Sequence, residues 1–216
     1  NRITKYIPQL PAYEFKGATL YLRIKDEGTY KVFSPFFVPT LLPYQLYECH
    51  VGLGYTRIIS EFFGIHTEAT IFIPIRGDCE IRDIRVTNMT PSPVELDAIP
   101  VVEYTHFDAL KQLTNADWVP QTMQSRAIAQ ADGRLVLLQY AFMHRDTRVN
   151  YFTSNLEVSS YDTVRSTFLG DHEYCTWARP LSLQQPELNN SIAQRGDNIA
   201  ALLHHLGTLQ PGGTCQ

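Results

Sequence analysis

Between residues 46 and 104 the chain alternates apolar and polar positions at the two-residue period of a half-buried strand. Ile65, Ala69, Ile71 and Ile73 fall on one face of the run Ile65 to Ile73. In Glu80 to Asn88, Ile84 and Val86 point inward while Asp83, Arg85 and Thr87 point outward. Val94, Leu96, Ala98 and Val102 line the inner face of the next strand. Leu46 to Val51 and Tyr55 to Ser60 complete a meander, joined by Gly52-Leu53-Gly54 and by a corner at Gly64. Pro74 to Asp78 and Met89 to Pro93 supply the remaining turns. Turn signals at this short spacing predict an antiparallel sandwich, each sheet with one buried and one solvated face.

Upstream, Ala18 to Ile24 predicts a strand, Asp26-Glu27-Gly28 a turn, and Tyr30 to Phe33 a returning strand. Ser34 to Pro43 carries Pro35, Pro39 and Pro43 and reads as an irregular crossing, because proline offers no N–H to a ladder. Downstream the pattern loosens. Thr105 to Leu113 predicts a short helix, Asn115 to Thr122 a loop, and Leu135 to Phe142 and Val149 to Phe152 two strands. Ser159 to Asn198 reads as one long polar and aromatic loop, of a length that usually serves function or faces a partner. Ile199 to Leu209 is a last apolar run, followed by a hairpin turn at Gln210-Pro211-Gly212-Gly213. The fold class expected is therefore all-β, with a short helix and long loops: a single sandwich domain over residues 1–216, cut before its last strand.

Composition agrees with a globular domain: 216 residues, 12 Tyr, 11 Phe and 2 Trp, with 19% charged residues. The formal charge of −4, without a basic stripe, disfavours nucleic acid as a partner. The longest apolar runs are too short to span a bilayer, so no membrane partner is expected. Cys49, Cys79, Cys175 and Cys215 lack any framework spacing and read as thiols of a reducing compartment, the cytoplasm. With no CxxC and with the histidines scattered, no metal or other cofactor is expected. His204 and His205 would point to opposite faces of a strand.

None of the common catalytic words is present: no GxSxG, P-loop, GxGxxG or HExxH. Glu103, His106 and Asp108 form the densest ionisable cluster beside aromatics. Two readings stand there: proton transfer on a sugar ring, or a solvent-facing Glu103 with His106 and Asp108 capping the helix that follows. Trp118, among Asn115, Asp117 and Gln121, has the chemistry of a sugar platform or of an ordinary packed loop aromatic. Arg165, in YDTVRSTFLG, is either a fork for hydroxyls, carboxylate or phosphate, or half of a surface ion pair.

The words YECHVGLGYTRI, Gly64-Ile65 with Glu68, FIP, and EI-RV-TN follow one another in an order that resembles the N-terminal domain of glycoside hydrolase family 94. The likeness continues through Val102 to Tyr104, Asp108 to Leu110, RSTFLG at Arg165 to Gly170, and QPGG near the end. His50 and Val51 stand where the family word carries Arg and His. The resemblance implies a galactose-mutarotase-like antiparallel super-sandwich from an inverting phosphorylase of cellobiose, cellodextrin, chitobiose or β-1,2-glucan type. It also implies a homodimer partner and an oligosaccharide substrate, with inorganic phosphate as co-substrate. A C-terminal (α/α)₆ barrel, outside this chain, would hold the catalytic acid, so no catalytic residue is expected here. In the family the segment resembling RSTFLG reaches toward the neighbouring subunit's active site. Arg165 and Phe168 are thereby the leading substrate-binding candidates, joined by Trp118 and Asp108. A stand-alone mutarotase-like epimerase using Glu103 and His106, or a carbohydrate-binding module built on Trp118, are the competing expectations.

Overall fold

A computed structural model describes residues 17–104, 119–142, 147–170 and 176–216. Among these, the strands are β1 (Ala18–Asp26), β2 (Thr29–Phe33), β3 (Leu46–Val51), β4 (Tyr55–Phe62), β5 (Ile65–Phe72), β6 (Ile81–Asn88) and β7 (Val94–Glu103). They continue with β8 (Met123–Ala129), β9 (Leu135–Ala141), β10 (Val149–Thr153), β11 (Ser160–Val164), β12 (Asn198–Leu209) and β13 (Thr214–Cys215). One short helix, α1 (Arg165–Leu169), follows β11 directly, and 3₁₀ turns occupy Val119–Thr122 and Leu181–Gln184. The sheets run β11-β12-β7-β1-β2, β10-β9-β8 and β13-β6-β5-β4-β3. The chain divides into two compact units, Asn1–Leu20 with Ala98–His205, and Tyr21–Asp97 with Leu206–Gln216. The predicted all-β antiparallel class holds. The helix expected at Thr105 to Leu113 lies outside the described residues.

In the unit built on Tyr21–Asp97, tight turns set the register. Glu27 and Gly28 both take positive φ (46° and 85°) between paired Asp26 and Thr29. Phe63 and Gly64 do the same (52° and 71°) between Phe62 and Ile65. Both are two-residue connections of the kind whose twist matches that of the strands. From there β4, β5 and β6 pair antiparallel in unbroken register, and β13 adds Thr214 and Cys215 against Thr87 and Val86 of β6. The inner face buries Phe33, Phe62, Ile65, Ala69, Val86 and Leu96. Phe33 stacks on Phe62 with ring centroids 5.6 Å apart. The apolar face expected on β5 is buried only at its start: Ile65 and Ala69 are enclosed, whereas Ile73 is exposed.

The unit built on Ala98–His205 is denser. Ile199 to Leu203 of β12 are all fully buried, so the strand is covered on both faces and reads as a continuous apolar run. The same applies to the end of β7, where Ile99 and Val101 are buried along with Val102. The one-sided alternation expected there is not what forms. Val102, Tyr104, Leu137, Ala200 and Leu202 make one core cluster, with Phe152 and Tyr161 packed against it.

Two strands depart from the sequence reading. β8 has buried Ser125 among its inward positions, and its side chain bonds to Asn198. β11 lies inside the stretch read as a single long loop. Its inward residues are Ser160, Asp162 and Thr163, polar groups that give no apolar alternation to detect.

Candidate functional site

The segment around Arg165 is built by polar side chains that find their partners far along the chain. Asp162 is fully buried and accepts hydrogen bonds from Asn189 Nδ2 (2.9 Å), Ser191 N (3.1 Å) and Ser191 Oγ (2.6 Å). A buried carboxylate is tolerable when hydrogen bonds replace water in this way. Asn189 Nδ2 also donates to Ser182 Oγ (2.9 Å), and that hydroxyl donates to the Thr167 carbonyl (3.1 Å). A continuous brace thus runs from β11 through the later segment into α1. Between Asp162 and Val164 the β11–β12 register shifts, a bulge that turns the chain into the helix. The Arg165 amide donates to the Asp197 carbonyl at 3.2 Å.

At this position Arg165 Nε lies 3.3 Å from Glu103 Oε1 in an ion pair. The burial is unequal: the Glu103 side chain is 1% exposed and that of Arg165 is 23% exposed. The guanidinium carbon sits 5.9 Å from the centroid of the Trp177 ring, close enough for a cation–π contact. Trp177 is itself buried and packs against the Phe168 ring, with centroids 6.0 Å apart. The result is a planar cation held by a buried carboxylate and an aromatic face, with part of its side chain at the surface.

Of the expected site residues, the structure brings Arg165 and Phe168 together with Glu103 and Trp177. Phe168 is fully buried and packs against Trp177. Glu103 does not face solvent as one reading had it. Its carboxylate is enclosed and turned to Arg165, so the pair is not the surface ion pair of the other reading: the Glu103 side chain is interior and that of Arg165 only partly exposed. Trp118, Asp108 and His106 lie outside the described residues. Trp177 was missed by sequence reasoning, its only signal being a second tryptophan in a polar stretch.

A second polar cluster lies on the same unit. Glu187 accepts from Ser159 Oγ and Ser160 Oγ (both 2.7 Å) and lies 2.9 Å from His205 Nε2. Partial burial works to raise the Glu187 carboxyl pKa, but the hydrogen bonds from His205 and the two serines bring it below the usual carboxylate range. Next to it along β12, His204 is buried with Nδ1 on the Glu157 carbonyl (2.7 Å), so the two histidines do face opposite ways. Among the described residues no group of three or more His, Cys, Asp or Glu is placed to hold a metal. Nor is any described helix long and apolar enough to cross a membrane.

A family model described as "Glycosyl hydrolase 94, supersandwich domain" matches residues 1–216. The chain belongs to this family. The N,N'-diacetylchitobiose phosphorylase of Vibrio proteolyticus is 30% identical over 215 residues, covering 98% of this chain and 26% of that protein. Its counterpart in Vibrio furnissii is 27% identical over 212 residues, again 98% of this chain and 26% of the relative. A solabiose phosphorylase of Paenibacillus borealis is 26% identical over 204 residues, 92% of this chain and 25% of that protein. The supersandwich described here therefore spans about a quarter of the length of the curated relatives it matches.

Proposed function

We propose that this supersandwich serves an inverting glycoside phosphorylase, which transfers the glycosyl group of a β-linked di- or oligosaccharide to inorganic phosphate and releases a sugar 1-phosphate. The observation that carries this reading is the match of 98% of the chain to a diacetylchitobiose phosphorylase at 30% identity. In such a reaction a carboxylic acid protonates the glycosidic oxygen while phosphate attacks the anomeric carbon from the opposite face. Phosphate is already anionic, so no second carboxylate is needed as base, in contrast to a water-using inverting hydrolase.

On this reading the acid resides on a C-terminal barrel outside this chain, and the supersandwich contributes walls. Arg165 is the residue that meets the sugar, in a second copy of the protein, and Phe168 and Trp177 hold it from behind. Orientation of the acceptor sugar and exclusion of water are what such a wall supplies. Thiols at Cys49, Cys79 and Cys215 suit a cytoplasmic enzyme.

The test is direct. Full-length protein carrying this domain is incubated with cellobiose, N,N'-diacetylchitobiose or a β-1,2-glucan, with and without inorganic phosphate. Phosphate-dependent release of an α-configured sugar 1-phosphate is expected. Cleavage that proceeds equally well without phosphate, or no cleavage of any β-linked disaccharide, overturns the reading.

A further inference from the structure

The face of the β3–β6 sheet turned away from Phe62, Ile65 and Val86 carries a shallow site of its own. Register sets three rows of outward side chains across it: Tyr55, Phe72 and Ile81; Arg57, Thr70 and Asp83; and Ile59, Glu68 and Arg85. A depression of about 140 Å³ is lined by Arg57, Glu68, Thr70, Asp83, Arg85 and Gln216. The Gln216 amide stands between two of its charges: Nε2 donates to Asp83 Oδ1 at 2.9 Å, and Oε1 accepts from Arg85 Nη2 at 3.2 Å. Among the described residues the Arg57 side chain has no ion pair and no hydrogen-bond partner.

The apolar row beside the depression forms a platform. The Gly52 amide donates to the Tyr55 carbonyl at 2.9 Å, and the Tyr55 ring lies so close over Gly52 that a Cβ there would collide with it. Tyr55 is thus laid against the hairpin while staying 45% exposed, with the partly exposed Phe72 opposite it on β5. Successive rows on one strand face are about 7 Å apart, so two linked sugar rings reach from the Tyr55 row to the polar one. The donor set selects the ligand class. Two guanidiniums alone would favour an anion, but Glu68 and Asp83 share the depression and would repel one. Donors and acceptors side by side suit neutral hydroxyls, and an aromatic face suits the C–H side of a pyranose.

We propose that this face is a non-catalytic binding site for a neutral oligosaccharide, with one ring on Tyr55 and the hydroxyls of the next taken by Arg57, Glu68 and Asp83. It is independent of Arg165 and of the phosphorolysis proposed for the full-length protein. Full-length protein is run without phosphate through native gels that hold hydroxyethylcellulose, glycol chitin, carboxymethylcellulose or no polymer. Retardation is expected in at least one of the two neutral polymers, and no stronger retardation in the anionic one. Arg57→Ala and Tyr55→Ala should each raise the Kd for that neutral polymer on the order of tenfold, with kcat and KM for the disaccharide unchanged. Wild type that passes both neutral gels freely overturns the proposal, as does retardation by carboxymethylcellulose alone, which would mean a plain cationic patch. Variants retarded as strongly as wild type place the binding elsewhere on the protein. A parallel loss of disaccharide turnover in the variants would assign both residues to the reaction site or the fold, against the proposal. Retardation is read without turnover, so absence of phosphorolysis leaves this test standing.

Discussion

Two arginine–carboxylate pairs in this chain share their chemistry and differ in which partner is buried. In one unit Arg23 is fully enclosed, with Nε 2.6 Å from Asp97 Oδ2 and the Tyr30 ring 4.1 Å from its guanidinium carbon. In the other, Glu103 is the enclosed member and Arg165 emerges, at a looser 3.3 Å and 5.9 Å from its aromatic neighbour. The first pair is closed: its cation lies where no ligand reaches. The second turns the cation outward and keeps the anion behind it. The open pair is the one proposed for recognition.

The contrast can be broken at the closed pair first. Asp97→Ala leaves the buried Arg23 guanidinium without this carboxylate and is expected to cost about 3–5 kcal/mol of stability, read from denaturant unfolding. A loss within error would mean that the Arg23 pair is no more structural than an exposed one. A smaller, pH-dependent effect comes from His204. Burial is the main reason its imidazole pKa lies below the ordinary value. The hydrogen bond to the Glu157 carbonyl opposes this, and His205 adds to it. The unfolded chain takes up a proton near the ordinary histidine value of about 6.5, while the folded chain resists until lower pH. The contribution of His204 to stability is therefore complete above about pH 6.5 and is lost as pH falls from there toward the folded value. His204→Gln should flatten the difference between unfolding midpoints at about pH 7.5 and 5.5. An undiminished difference would place the slope elsewhere. At the bottom of the scale, Lys25 and Glu95 form an exposed pair at 3.1 Å, and Glu95→Gln should leave the unfolding midpoint unmoved. A clear shift there would show that exposure is a poor guide to what these pairs do.

Legibility in the sequence tracks the same division. The meander from Leu46 to Asn88 was readable nearly to the residue, because turn residues such as Gly52, Gly54 and Gly64 mark its corners and strand-forming residues fill the runs between them, even where the apolar positions stay exposed. β12 was visible as an apolar run, since both of its faces are covered. β8 and β11 were not, because their inward positions are held by Ser125, Ser160, Asp162 and Thr163. Those side chains are satisfied by Asn198, Glu187, Asn189 and Ser191, some of them about thirty residues away or more, and local pattern carries no trace of such partners. The candidate site lies in that illegible region. Arg165 and Phe168 came from a family resemblance, while the enclosure of Glu103 and the placement of Trp177 required three-dimensional structure.

Recognition by the open pair is probed by Arg165→Lys. Lysine keeps the charge beside Glu103 but loses the planar fork. In full-length protein, the KM for disaccharide is expected to rise on the order of tenfold, with the KM for phosphate and the unfolding midpoint unchanged. A disaccharide KM equal to that of wild type, with a lowered unfolding midpoint, would make Arg165 a second closed pair in all but appearance and contradict the assignment.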